Sequence, residues 1–134
     1  MNRKDEIIKE IEENLGIEFP EEQVKIITHY GKPSNVISCA GSGKTTLMIA
    51  SIAYLQKKYN IKSDRICTIS FNTSAVEEIK TRYNALADKM KLGKDVTFKT
   101  FHALYYMILR YYKNRIFKNG NFNLIAEGES NLIF

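Results

Sequence analysis

A glycine-rich loop at residues 41–45 constrains the fold of this chain more than any other segment. The loop reads Gly41, Ser42, Gly43, Lys44 and Thr45. It lies between a short apolar run and a long segment rich in Leu, Met, Ile and Ala. Glycine tolerates positive φ, which lets a backbone curl with its N–H groups pointing inward, and a following helix adds the positive end of its dipole. A strand, a loop and a helix in this order predict a phosphate-binding loop.

The residue types of the loop suit a nucleotide bound with Mg²⁺. Lys44 offers a positive charge to the β- and γ-phosphates, and the Thr45 hydroxyl is an oxygen ligand for the metal. We therefore assign catalytic roles to Lys44 and Thr45. The general pattern has a glycine where this chain has Ser38. The alternative is a glycine-rich turn with an incidental Lys-Thr pair.

Strand-like and helical patterns alternate along the chain. An acidic amphipathic helix is predicted before Gly16, and a second, short helix between Pro20 and Gly31. The predicted strands span residues 36–40, 66–70 and 96–99, and the long predicted helices span residues 45–59 and 101–112. Another helix begins at a capping-box pattern of Ser74 and Glu77. This alternation predicts an α/β fold with a parallel sheet flanked by helices.

Basic residues are concentrated after the first helices. The net charge is +5, but residues 1–24 hold three basic and eight acidic side chains, so the other 110 residues have a net charge of +10. The densest stretch, Lys89 to Lys118, has eight basic residues and one acid, Asp95. Such a stretch suits a polyanion, either nucleic acid or bound nucleotide. A basic face that is merely solvated is the alternative.

Cysteine usage and hydropathy indicate a cytoplasmic protein. Cys39 and Cys67 each lie in an apolar run, where buried reduced thiols are expected. No apolar run approaches the roughly 20 residues that a membrane span needs. The N-terminus lacks the apolar core of an export signal. With His29 and His102 isolated, the pattern does not favour a structural metal site.

Three further segments narrow the class of phosphate-loop protein. They are Phe19–Gln23 before the loop, Ser70–Lys80 after the second predicted strand, and Thr100–His102 after the third. In this order and spacing they resemble the front of UvrD/Rep/PcrA-like superfamily 1 DNA helicases. The resemblance covers roughly Phe19 to Arg110. It also accounts for Ser38, since the loop of this family lacks the first glycine.

The resemblance implies ATP and Mg²⁺ as cofactors, with Thr45 as the metal ligand. The nucleotide-binding residues that it implies are Gln23, Ala40, Gly41, Ser42, Gly43, Lys44, Thr45 and Thr46. Gln23 would read the adenine edge, because a side-chain amide offers a paired donor and acceptor. A solvent-facing glutamine is the alternative for Gln23. Thr46 replaces an arginine that some family members place near the nucleotide.

The resemblance also implies contacts with single-stranded DNA. Its DNA-binding residues would be Phe71, Asn72, Thr100 and His102. An aromatic ring can stack on any base, and an amide can bond a phosphate or a sugar. The alternatives are core packing for Phe71 and a structural role for His102.

By this resemblance the parent protein is an ATP-dependent helicase that translocates 3′-to-5′ on single-stranded or partly duplex DNA, with DNA repair among its uses. Residues 1–18 would form an N-terminal acidic helix, 19–113 a partial RecA-like ATP-binding domain, and 114–134 the start of an accessory segment. In the family, strands that come later in the sequence lie between the first two strands of the sheet. Those later strands would be absent here, so the RecA-like sheet would be incomplete. Its exposed edges could be covered by a partner or by self-association.

Hydrolysis needs one carboxylate on the metal and another to orient water. No acid downstream of Lys44 ends an apolar strand: Glu77 and Glu78 lie in a predicted helix, and Asp95 precedes its strand. We therefore expect a fragment, with the rest of the helicase chain missing, that binds nucleotide without turnover. The alternative from another class is a nucleotide-binding regulatory or structural remnant without a DNA function.

Overall fold

The computed structural model describes residues 5–39 and 41–117, in which three helices precede an alternation of strands and helices. The helices are α1 (Glu6–Leu15), α2 (Glu21–Ile27), α3 (Lys44–Tyr59), α4 (Thr73–Met90) and α5 (Phe101–Ile116). The strands are β1 (Cys67–Ser70) and β2 (Thr97–Thr100), and a 3₁₀ turn spans Ser63–Arg65. Contacts divide the chain into two units, Met1–Thr100 and Phe101–Phe134. No helix in the described ranges is long and apolar enough to cross a membrane.

The two predicted N-terminal helices are confirmed. Gly16 ends α1 in the left-handed conformation, at φ 69°. Pro20 precedes the first residue of α2 and fixes the entry of the chain into that helix. Ile8 and Ile11 of α1 are fully buried, so the apolar side of this acidic helix joins the core.

Most of the buried apolar residues belong to α3 and α4. Tyr83 of α4 is fully buried, and its hydroxyl donates to the Gly93 carbonyl at 2.6 Å. The Gln56 side chain donates to the Tyr83 hydroxyl at 2.5 Å and accepts from the Gly93 N–H at 3.0 Å. This closed set of bonds joins the end of α3, the middle of α4 and the loop before β2. These bonds satisfy the buried Tyr83 hydroxyl, which would destabilise the fold if it had no hydrogen-bond partner.

The sheet is parallel, as predicted, and α4 connects its two strands. β1 pairs with β2 in a register that sets Cys67 opposite Thr97 and Ser70 opposite Thr100. Within residues 5–39 and 41–117 the sheet has only these two strands. The prediction of an incomplete α/β sheet is therefore confirmed.

The strand predicted at residues 36–40 is wrong for the part that is described. Residues 36–39 form no strand, and the Val36 and Ile37 side chains are 42% and 91% exposed. A strand needs a neighbour for its N–H and C=O groups. No strand of the described residues pairs with this segment. The segment has the apolar composition of a buried strand. It lacks a neighbouring strand among the described residues that would cover it.

The predicted burial of the cysteines is also wrong. Cys39 and Cys67 are free and exposed. Cys39 lies in the unpaired segment before the loop. In β1, Cys67 is exposed and the next residue, Thr68, is buried, as expected when successive side chains point to opposite faces.

The predicted helix after residue 100 is confirmed and extends to Ile116. No residue of α5 is buried. Arg110 lies over the Tyr106 ring at 5.9 Å from its centroid, and the Tyr111 and Tyr112 rings meet edge to face at 4.8 Å. The helix contains no acidic residue.

The Asp5 carboxylate links α1 to α3. It accepts from the Ile7 N–H at 3.2 Å, and so begins α1. It also accepts from the Tyr54 hydroxyl at 2.9 Å and the Lys58 ammonium at 2.8 Å. The hydrogen bond from Lys58 is the main cause that lowers the pKa of Asp5. Burial, with the bond to Asp5, raises the pKa of Tyr54 to about 12.

We expect Asp5→Asn to lower the free energy of unfolding at pH 7 by up to about 1 kcal/mol, the range of partly exposed ion pairs. The pKa of Asp5 is lower in the folded chain than in the unfolded chain. Its contribution is therefore complete above the unfolded pKa of about 3.9 and is lost as pH falls through the folded value. Urea unfolding at pH values from about 2 to about 7, a range that includes the titration of Asp5 and extends well above it, measures this. Asp64→Asn, at an exposed position, is the control. A difference that does not change with pH would contradict the prediction.

Candidate functional site

The glycine-rich loop has the backbone that its sequence predicts. Gly41 and Gly43 have φ of 79° and 82°, in the left-handed region that favours glycine. A Cβ added at either glycine would meet no atom within 4 Å. The space beside both glycines is therefore open. Ala40, a candidate nucleotide contact, lies outside the described residues.

The first turn of α3 presents hydrogen-bond donors at this opening. Gly43 is the N-cap residue of α3 and offers no side-chain acceptor to the first N–H groups of the helix. The Ser42 hydroxyl oxygen is buried and has no hydrogen-bond partner among the described residues. Uncapped N–H groups at a helix N-terminus favour an anion, and a buried hydroxyl needs a partner. This donor set fits a bound phosphate.

The Lys44 ammonium is held at the entrance to the loop. Its Nζ atom donates to the Cys39 carbonyl at 2.6 Å and lies 3.4 Å from the Ser38 carbonyl. Lys44 is exposed and Thr45, the next residue, is half-buried in the first turn of α3. The charge and the hydroxyl required for a phosphate and its metal therefore lie on adjacent residues beside the uncapped N–H groups.

Gln23 lies on α2, which packs against α3. The Gln23 side chain is half-buried, one helical turn before Ile26. Ile26 and Lys44 both line a cavity of about 230 Å³. The other lining residues, Val36, Leu47, Met48 and Ser51, are mostly apolar. An apolar cavity next to the phosphate loop lysine is compatible with a nucleotide at this end of α3.

The sheet register brings three of the predicted DNA-binding residues to one edge. Thr100 ends β2 and pairs with Ser70, which directly precedes Phe71 and Asn72. Phe71 is 87% exposed, which contradicts the core-packing alternative for its ring. Thr100 is half-buried. His102 is exposed in the first turn of α5, in the second unit.

Asn72, rather than Ser74, caps α4. Its Oδ1 atom accepts from the Ala75 N–H at 2.8 Å. The predicted capping box of Ser74 and Glu77 is wrong, because α4 begins at Thr73 and both residues already lie inside the helix. With Oδ1 engaged by the backbone, the amide nitrogen of Asn72 is the group that can donate to a ligand.

The basic stretch that begins at Lys89 is not a set of free cations. The Lys89 ammonium donates to the Asn14 carbonyl at 3.0 Å. Lys94 forms an ion pair with Asp88. Lys118 lies outside the described residues. Asp88 lies just before this stretch, so its ion pair with Lys94 offsets one of the positive charges counted there.

Arg82 is a residue at the site that sequence reasoning missed. Its Nη2 atom donates to the Thr46 hydroxyl at 2.7 Å, from α4 to the first turn of α3. Its Nη1 atom lies 3.4 Å from the Glu78 carboxylate. The pairing with Glu78 is readable from the i, i+4 spacing. The contact with Thr46, 36 residues away, has no sequence signal.

The sequence model of the UvrD/REP helicase N-terminal domain matches residues 19–134. Similar proteins include a putative ATP-dependent DNA helicase, YjcD, of Bacillus subtilis, 33% identical over 107 residues. That match covers 79% of this chain and 14% of YjcD. The ATP-dependent DNA helicase PcrA of Leuconostoc citreum is 36% identical over 93 residues, which cover 69% of this chain and 12% of PcrA.

A probable DNA helicase II homolog of Mycoplasma capricolum is 33% identical over 98 residues, covering 73% of this chain and 13% of that protein. The chain thus spans about an eighth of the length of the relatives it matches. The phosphate loop and the edge formed by Phe71, Asn72 and Thr100 lie within the matched segment. The chain belongs to the UvrD/REP helicase family, with residues 19–134 in its N-terminal domain.

Proposed function

We propose that this chain is the ATP-binding front of a DNA helicase motor that translocates on single-stranded DNA. The main observation in support is the open glycine-rich loop at the uncapped N-terminus of α3. The same unit carries the exposed ring of Phe71, which directly follows Ser70, the strand partner of Thr100. One unit thereby offers donors for a triphosphate and an aromatic platform for a base.

In this proposal the loop N–H groups and the Ser42 hydroxyl bind the phosphates. Lys44 leaves the Ser38 and Cys39 carbonyls and contacts the β- and γ-phosphates. Thr45 would hold Mg²⁺, which neutralises charge on the phosphate oxygens when bound. Gln23 recognises the adenine edge from α2. The half-buried position of Gln23 on the helix that packs against α3 supports this assignment.

Single-stranded or partly duplex DNA is the proposed polymer substrate. Phe71 stacks on a base, and the Asn72 amide nitrogen and the Thr100 hydroxyl contact the backbone. His102, in the second unit, is a separate candidate for a DNA contact. ATP hydrolysis, strand separation and 3′-to-5′ movement are proposed for the complete helicase. The names of the relatives, ATP-dependent DNA helicases, support that activity.

Salt dependence of single-stranded DNA binding tests the proposal. We expect the logarithm of the association constant to fall linearly with the logarithm of salt concentration. The slope should be about −0.7 for each phosphate contact. Fluorescence anisotropy with a labelled thymine oligonucleotide at several salt concentrations measures the slope. Binding of a fluorescent ATP analogue with Mg²⁺ is measured on the same preparation. Nucleotide binding without any DNA binding at low salt would favour a regulatory or structural remnant instead.

A further inference from the structure

A side-chain hydrogen bond between Arg82 and Thr46 joins α4 to the first turn of α3, beside the phosphate loop. Arg82 Nη2 donates to Thr46 Oγ1 at 2.7 Å, and Nη1 lies 3.4 Å from Glu78 Oε1. The guanidinium is thus held from its own helix and from α3 at once. A planar guanidinium with several donors can make both contacts, whereas a lysine ammonium is less suited to this fixed geometry.

Thr46 lies next to the proposed phosphate-binding residues of the loop. It is the third residue of α3, after Lys44 and Thr45. Its position in the uncapped first turn places it among the N–H groups that face the open loop. A shift of this turn on phosphate binding would change the position of the Thr46 hydroxyl that Arg82 contacts.

The N-terminus of α4 carries two of the proposed DNA-binding residues, and Arg82 lies in the middle of the helix. Asn72 caps this helix, and Phe71 directly precedes the cap. Ten residues separate Asn72 from Arg82, about 15 Å along a helix axis. Ile79 and Tyr83 beside Arg82 are buried, so α4 is packed into the core on this side. A rigid helix is one of the elements that can carry coupling between two sites.

We infer that Arg82 is a positioning residue that couples nucleotide binding at the loop to DNA binding at Phe71 and Asn72. This inference rests on the proposed function. Through Thr46, Arg82 sets the position of α4 relative to the first turn of α3. Coupling between two binding sites is reciprocal, so each ligand changes the affinity of the other by the same factor.

The test measures the dissociation constant of a non-hydrolysable ATP analogue with Mg²⁺, with and without a saturating thymine oligonucleotide. We expect the two constants to differ by about fivefold or more in the unaltered chain. Arg82→Ala and Thr46→Val should each bring the ratio close to one, and the double variant should add nothing further. Lys80→Ala, which removes an exposed cation from the same helix, should preserve the ratio.

The melting temperature of each variant is measured in parallel. A purely structural contact would change the melting temperature, or both affinities together, and would leave the ratio unchanged; that result overturns the inference. Binding of both ligands with a ratio of one in the unaltered chain also overturns it and leaves the proposed function standing. Failure of the unaltered chain to bind nucleotide or DNA overturns both.

Discussion

Lys44→Ala is expected to weaken binding of Mg-ATP by roughly 1.5–3 kcal/mol, the range of a charge-assisted contact, or about ten- to more than a hundredfold. The Lys44 ammonium brings a full positive charge to the loop, and its present partners are two backbone carbonyls. Titration of a fluorescent ATP analogue, with the dissociation constant as the readout, measures the loss.

The fold should survive this substitution. Lys44 is exposed, and its contacts lie in the segment at residues 38–39, which belongs to no strand. Circular dichroism and thermal unfolding of Lys44→Ala should therefore match those of the unaltered chain. Lys80→Ala is the control for the loss of one surface charge. Unchanged Mg-ATP affinity in Lys44→Ala, with the control also unchanged, would refute the phosphate-loop assignment.

Phe71→Ala is expected to weaken binding of single-stranded DNA by about 1–3 kcal/mol, the effect of removing one stacked ring. The ring is 87% exposed at the end of β1, so it can receive a base without rearrangement of the core. Fluorescence anisotropy with a thymine oligonucleotide at fixed low salt measures this loss.

A matched variant separates stacking from packing. Phe71→Tyr retains an aromatic face and should bind DNA close to the level of the unaltered chain. The melting temperature of Phe71→Ala should stay within about a degree or two, because surface substitutions usually change stability by less than 0.5 kcal/mol. DNA affinity that is normal in Phe71→Ala would remove this ring from the proposed interface.

The helices of the first unit illustrate what neighbouring residues can specify. Gly16 ends α1, and Pro20 opens α2, as their backbone preferences predict. The loop glycines have the predicted positive φ. These features depend on dihedral preferences and on bonds between residues a few positions apart, so they can be read directly from the sequence.

Burial could not be read in the same way. The segments at 36–40 and 66–70 have similar apolar composition, yet among the residues that the structure describes only the second includes a paired strand. Pairing requires a neighbour from a distant part of the chain, and its presence decides whether Ile37 or Cys39 is covered. Hydropathy reports the preference of a side chain and not whether a partner is available.

The sequence by itself predicted the backbone of the glycine-rich loop, since Gly41 and Gly43 lie within five consecutive residues and their positive φ depends on local preferences alone. It also placed Ser70 at the end of the second predicted strand and Thr100 directly after the third. Only the tertiary structure set those two residues opposite each other and brought Arg82 to Thr46. Both contacts join residues 30 or more positions apart. Their formation depends on how α3, α4 and the two strands pack together, which no local pattern specifies.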